Sequence, residues 1–194
     1  MPDLADLRAE ALACTRCPLA GGRTTVVFGE GDPNASLMVV GEGPGREEDL
    51  AGRPFVGRSG QLLDRLLLEE IGLAREQVYI ANVVKCRPPG NRDPQPEEIA
   101  ACRPYLEAQI DEIHPDVLMT LGNFSSKLLI ATNEGITKLR GRTYPYRDTG
   151  AVIVPTYHPA AALRGGGTVL AGMRADFVRA KGILAGSAPP VGQR

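Results

Sequence analysis

The stretch Val78-Tyr79-Ile80-Ala81-Asn82-Val83-Val84-Lys85-Cys86, followed by the break Arg87-Pro88-Pro89-Gly90 and then by Pro96 to Ile113, decides how this chain is read. Val78 to Val84 is apolar and β-branched, with Asn82 as its one amide, which predicts a buried strand. Two prolines and a glycine then stop it. Pro96 suits the first turn of a helix, and Glu97 and Glu98 suit the positive end of its dipole. That helix carries Cys102, expected to face inward.

The same alternation extends in both directions. Leu37 to Val40, Val117 to Leu121 and Ala151 to Pro155 read as further short strands. Asp3 to Ala13, Gly60 to Ile71, Ser125 to Ala131 and Gly172 to Leu184 read as helices, the second stopped by Gly72. Strands alternating with helices predict an α/β fold with a parallel sheet, and such sheets bind ligands beyond the carboxyl ends of their strands. Residues 1–184 are expected to form a single domain, since 194 residues with 43 % hydrophobic content can bury an adequate core. The end Ala185 to Arg194 has the composition of a disordered tail.

A formal net charge of -1 excludes a general basic field, so any contact with nucleic acid must be local. Candidate patches are Arg53/Arg58, Arg87/Arg92, Lys138/Arg140/Arg142/Arg147 and Arg164, each beside Gly or Pro and gaining weight only if their loops converge. The N-terminus carries acids where a signal peptide needs a basic region, and no run of 18 apolar residues occurs. A cytoplasmic, nucleoid-associated protein with no membrane partner is expected. In that compartment the four cysteines, Cys14, Cys17, Cys86 and Cys102, are better read as metal ligands than as disulfides. Spacing alone fits a structural zinc about as well as an iron–sulfur cluster.

Four polar or Gly-rich segments close the four predicted strands: Gly41-Glu42-Gly43-Pro44-Gly45, Asn82, Gly122-Asn123 and Thr156-Tyr157-His158-Pro159. The glycines let backbone N–H groups approach a ligand, and Glu42 is the only carboxylate in its loop. This loop is no dinucleotide fingerprint, because the third glycine of G-x-G-x-x-G is Arg46, and no Walker lysine follows. His158 in a Pro-flanked strand-end turn is unlike a core histidine, whereas His114, before Pro115, reads as a helix terminus.

These residues carry a resemblance. C-T-R-C at Cys14 to Cys17, G-E-G-P-G at Gly41 to Gly45, G-R-P-F-V-G at Gly52 to Gly57, N-V-V-K-C-R-P-P-G-N-R-D-P at Asn82 to Pro94, Cys102, and T-Y-H-P-A at Thr156 to Ala160 stand in order over nearly the whole chain. The chain so read resembles the family 4 uracil-DNA glycosylases, the iron–sulfur branch of that superfamily. The resemblance implies a three-layer architecture with a central four-stranded parallel sheet flanked by helices. It also implies a [4Fe–4S] cluster on Cys14, Cys17, Cys86 and Cys102, structural rather than reactive.

The activity implied is hydrolysis of the N-glycosidic bond of uracil in single- or double-stranded DNA by a monomer, leaving an abasic site. The target nucleotide must then leave the helical stack and enter a pocket. By the same resemblance Phe55 stacks on the base, Asn82 pairs with its polar edge, and His158 directs an N–H at uracil O2. Backbone amides of Gly41 and Gly43 contact the substrate, Glu42 handles the attacking water, and Leu163 with Arg164 enters the minor groove. The stretch Lys85 to Gly90 holds no histidine that could capture DNA covalently, so turnover is expected. Two other readings fit the residues alone: a non-catalytic iron–sulfur protein that binds DNA or senses redox state, and a zinc-stapled domain acting on a nucleoside.

Overall fold

In the computed structural model, which describes residues 3–186, the predicted apolar runs are strands with both faces covered. The strands are β1 (Glu30–Gly31), β2 (Leu37–Gly41), β3 (Tyr79–Asn82), β4 (Val117–Leu121), β5 (Tyr144–Pro145) and β6 (Val152–Thr156). They form one sheet in the order β1-β3-β2-β4-β6-β5. β3, β2, β4 and β6 pair in parallel, while β1 and β5 pair antiparallel with their neighbours.

The expected four parallel strands form the centre of the sheet, which two antiparallel edge strands extend to a six-stranded mixed one. The two added strands are two residues long, too short for any alternation to show in sequence. Both sit at edges, where Gly31 and Pro145 are tolerated because one side needs no ladder hydrogen bond.

Among the described residues eight α-helices precede, connect or follow these strands: α1 (Leu4–Leu12), α2 (Arg46–Ala51), α3 (Arg58–Leu66), α4 (Pro96–Ile113), α5 (Asn123–Ile130), α6 (Ile136–Leu139), α7 (Pro159–Gly165) and α8 (Gly167–Leu184). Asp3 opens α1 by accepting the N–H groups of Ala5 and Asp6, both at 2.9 Å, a cap worth about 1 kcal/mol. The predicted helix from Gly60 to Ile71 begins two residues earlier and ends in a π turn, Leu67–Ile71, closed by Gly72 at φ 87°. α2, α6 and α7 were not expected, being four to seven residues long and without a readable apolar period. Of the tail expected from 185 onward, residues 187–194 lie outside the described residues.

The pleat of β2 sorts the core. Met38 and Val40 face a cluster with Leu7 and Ala11 of α1 and Leu106 and Ile110 of α4. Leu37 and Val39 face the opposite cluster, with Leu63 and Leu66 of α3 and Met173 and Phe177 of α8. Helices on both faces of the sheet make three layers, and each fully buried side chain contributes roughly 1.5–3 kcal/mol. The parallel register sets Gly41 beside Asn82 and Leu121 beside Thr156, so the carboxyl ends of these strands share one rim.

Candidate functional site

The rim begins at Gly41, where lack of a side chain is what brings two predicted residues together. A Cβ at position 41 would lie 2.4 Å from Asn82 Oδ1 and 2.5 Å from Phe55 Cζ. Any other residue there would push the ring and the amide apart. Asn82 is 1 % exposed, and its Oδ1 is a buried acceptor with no partner among the described residues. Buried polar atoms are nearly always paired in folded proteins, so an orphan of this kind at a rim reads as a place kept for a ligand.

Phe55 sits at φ 51°, in the left-handed region that a bulky residue enters at a cost of about 1–3 kcal/mol. Three side chains or gaps hold it there. Gly60 leaves room for the turn, since a Cβ would lie 1.7 Å from Phe55 O. Arg75 donates to the carbonyls of Pro54 and Phe55 while pairing with Glu30 at 2.8 Å and Asp64 at 3.0 Å. Glu48 accepts the N–H groups of Val56, Gly57 and Gly45 at 3.0 to 3.1 Å, tying the Phe55 turn to the Gly41–Gly45 loop. Reading the sequence missed Arg75 and Glu48, because nothing local marks a residue whose partners in the Phe55 turn lie eight to twenty-one positions away.

His158 precedes α7, and its ring centroid lies 5.8 Å from that of Phe55. The imidazole Nδ1 accepts the N–H of Ala160 at 3.2 Å. That bond assigns the ring proton to Nε2 in the neutral tautomer. Burial pulls His158 down to about 4, with the Arg164 charge adding to the effect and Glu48 opposing it. A neutral imidazole presenting Nε2–H is the consequence at physiological pH. Glu42 moves the other way, up to about 7, because burial disfavours its charge and Asp93 adds like-charge repulsion.

These groups share a cavity of about 820 Å³. Glu42, Gly43, Phe55, Asn82, His158 and Arg164 line it, whereas Gly41 lies beneath and Leu163 lies outside, 44 % exposed on α7. Of the basic patches, Arg58 and Arg92 also reach the wall, joined by Arg46. Four of the others are engaged elsewhere. Arg53 pairs with Glu30 and Arg147 with Glu107, Arg87 bonds to Asn91, and Arg140 is held by the buried Asp176 and stacks on Tyr157. The stretch Lys138 to Arg147 is thus not one convergent surface.

A second feature lies behind β3, away from the cavity. Cys14, Cys17, Cys86 and Cys102 are free thiols that line one small, apolar-walled space with Ala11 and Ala101. Arg23 Nη1 stands 3.5 Å from Cys86 Sγ, and the N–H of Lys85 donates to Cys102 Sγ at 3.3 Å. Among the described residues no three His, Cys, Asp or Glu side chains stand close enough to ligate a single metal ion. Burial raises both inner thiols, Cys102 to about 11, so they ionise only against strong positive charge.

Comparison with known proteins comes to the same region of the chain. Residues 28–180 match the profile of the Uracil DNA glycosylase superfamily. A type-4 uracil-DNA glycosylase of Thermotoga maritima is 52 % identical over 152 residues, 78 % of each chain. That of Sulfurisphaera tokodaii is 49 % identical over 169 residues, 84 % of this chain and 77 % of the other. That of Archaeoglobus fulgidus is 43 % identical over 169 residues, 84 % of each.

Proposed function

We propose from this geometry, and from the fact that the chain belongs to the Uracil DNA glycosylase superfamily, that it is a DNA glycosylase hydrolysing the bond between uracil and deoxyribose in DNA. The observation that carries this reading is the orphaned Oδ1 of Asn82 beside the Phe55 ring, at the floor of a cavity that His158 also lines. A flat base with an N–H next to a carbonyl completes that site. Uracil offers N3–H to Oδ1 and O4 to Nδ2, whereas cytosine presents an acceptor and a donor in the opposite order, leaving both groups opposed.

The reaction is read as follows. An extruded uracil stacks on Phe55 and pairs with Asn82, and extrusion costs a few kcal/mol, least where the base is mismatched or unpaired. The C1′–N1 bond breaks with its electron pair passing to uracil. Charge accumulates at O2, where the Nε2–H of neutral His158 donates without having to lose a proton. Water bonds to C1′ and gives its proton to Glu42, whose carboxylate also offsets positive charge on the sugar. Its raised value, about 7, makes it a stronger base than an ordinary carboxylate. The product is an abasic site, without covalent capture.

Arg46, Arg58 and Arg164 line the same cavity and supply local positive charge for phosphates on a chain of net charge -1, whereas Arg92, also on the wall, is paired with Glu98. In this reading Leu163, exposed beside Arg164, fills the vacated stack. The enzyme acts as a monomer in the cytoplasm on single- or double-stranded substrate. The four thiols hold a [4Fe–4S] cluster. All four are sulfur donors around one space and two receive polar N–H groups at sulfur, a donor set that fits a thiolate-held centre, and the likeness to the type-4 enzymes is what favours iron–sulfur over zinc. When bound, the cluster supplies cross-linking of Cys14 and Cys17 to the β3 loop and to α4, not chemistry at the base.

The test is incubation of purified protein with a uracil-containing oligonucleotide, followed by alkali. Strand breaks at uracil and none at cytosine are expected. Intact strands at stoichiometric enzyme rule the reading out.

A further inference from the structure

Lys85 is 1 % exposed, yet it carries an ammonium group that the catalytic reading does not use. Its Nζ donates to the main-chain carbonyl of Asn82 at 2.9 Å and to Gln109 Oε1 at 2.5 Å, and lies 5.8 Å from the centre of the Phe28 ring. All of these are neutral. Gln109 is itself fixed, donating to Phe28 O at 2.9 Å and to Tyr79 Oη at 3.2 Å. No carboxylate forms an ion pair with Lys85 among the described residues. A fully buried charge is retained only when something of opposite sign compensates it.

The group of opposite sign that bears on the ammonium is the Cys102 thiol, which counters the burial of Lys85. Lys85 lines the thiol-walled space, and its own backbone N–H donates to Cys102 Sγ at 3.3 Å. An iron–sulfur centre held by four thiolates carries net negative charge and is tuned by hydrogen bonds and charges at its sulfurs. Lys85 stands between that centre and the carbonyl of the base-reading residue three positions before it.

We propose that Lys85 is a positioning residue that couples the two sites: its ammonium is the counter-charge of the cysteine-held centre, and its hydrogen bond to Asn82 transmits that anchoring to the amide that reads uracil. The proposal rests on the cluster reading given above. Two consequences follow from the geometry. Removing the charge makes the reduced, more negative cluster harder to form, so the reduction potential falls. Removing the hydrogen bond frees the end of β3, so KM for uracil-containing DNA rises.

The experiment compares full-length wild type, Lys85→Met and Lys85→Arg, purified without oxygen. Measurements are absorbance near about 400 nm, reduction potential by voltammetry, and KM and kcat on a uracil oligonucleotide. In Lys85→Met the absorbance is retained, the potential shifts negative, and KM rises about tenfold, the order expected for losing one charge-assisted hydrogen bond. Lys85→Arg keeps the wild-type potential. Should Lys85→Met give no soluble protein, Lys85→Gln, which removes the charge and keeps a donor, is measured for potential instead. An unchanged potential in the neutral variant, or an unchanged KM, overturns the proposal while wild-type colour and uracil release leave the glycosylase reading standing. A colourless wild type overturns the cluster reading and this proposal together.

Discussion

Asn82 and Cys86 are four residues apart on one stretch of chain, yet they serve regions built on opposite plans. The cavity above the sheet collects polar groups kept out of their ordinary states: an amide oxygen without a partner, a carboxyl raised to about 7, and an imidazole lowered to about 4. The cysteine corner collects thiols among alanines, with Arg23 and Lys85 on its wall, and gives two of the thiols polar N–H groups at sulfur. The first region keeps its functional groups under-satisfied so that a transient ligand completes them. The second is completed once, and what it then supplies is a fixed chain. The difference teaches that burial raises reactivity only where the partner is meant to leave.

If that contrast holds, changes in the cavity alter rate and leave colour and stability alone. The largest expected effect is His158→Ala, whose single-turnover rate on uracil DNA falls about 10²–10³-fold, the range for loss of one donor at a developing oxyanion. Asn82→Ala behaves alike, with absorbance near about 400 nm unchanged in both. Loss of colour together with activity would break the separation. Next in size is Glu42→Gln, expected to cost about 10²-fold, the lower range for a general base. Its pH profile sharpens the point. Only the ionised carboxylate takes a proton, so wild-type rate drops tenfold per unit below about 7 and is level above, and the variant loses that limb.

Cys86→Ser attacks the other region. It removes the colour and lowers Tm by about 10 °C, corresponding to about 3 kcal/mol in a chain of this length, while kcat of the folded protein holds and KM rises as the Lys85 tie to Asn82 loosens. A colourless variant with wild-type Tm would show the corner is not structural. The smallest effect tests the turn between them. Arg75→Met releases the strained backbone of Phe55, so KM for uracil DNA rises about tenfold while kcat at saturation changes little. Equal losses in both constants would mean that Arg75 supports the fold rather than the ring.

How far the sequence carried these conclusions follows from how local each signal is. Leu37 to Val40 and Val117 to Leu121 show their strands because a buried parallel strand is a continuous apolar run. β1 and β5 leave no such trace, since two residues hold no period. Glu42, Asn82 and His158 stand out as polar groups closing apolar runs, and their spacing in sequence puts them at strand ends before any contact is known. Phe55 was legible only through the family likeness. What holds it, Gly60, Glu48 and Arg75, comes from three elements and is visible only in the folded chain. Arg140 shows the opposite failure: a cation beside glycine looks like a free surface charge and is instead a half-buried tie to Asp176.

The account stands most directly on where uracil itself settles, which a crystal structure of the protein soaked with the free base measures. The ring is predicted to lie against Phe55, with N3–H on Asn82 Oδ1 and O2 within hydrogen-bond reach of His158 Nε2. Uracil bound elsewhere in the cavity, with Asn82 Oδ1 still unpaired, contradicts it.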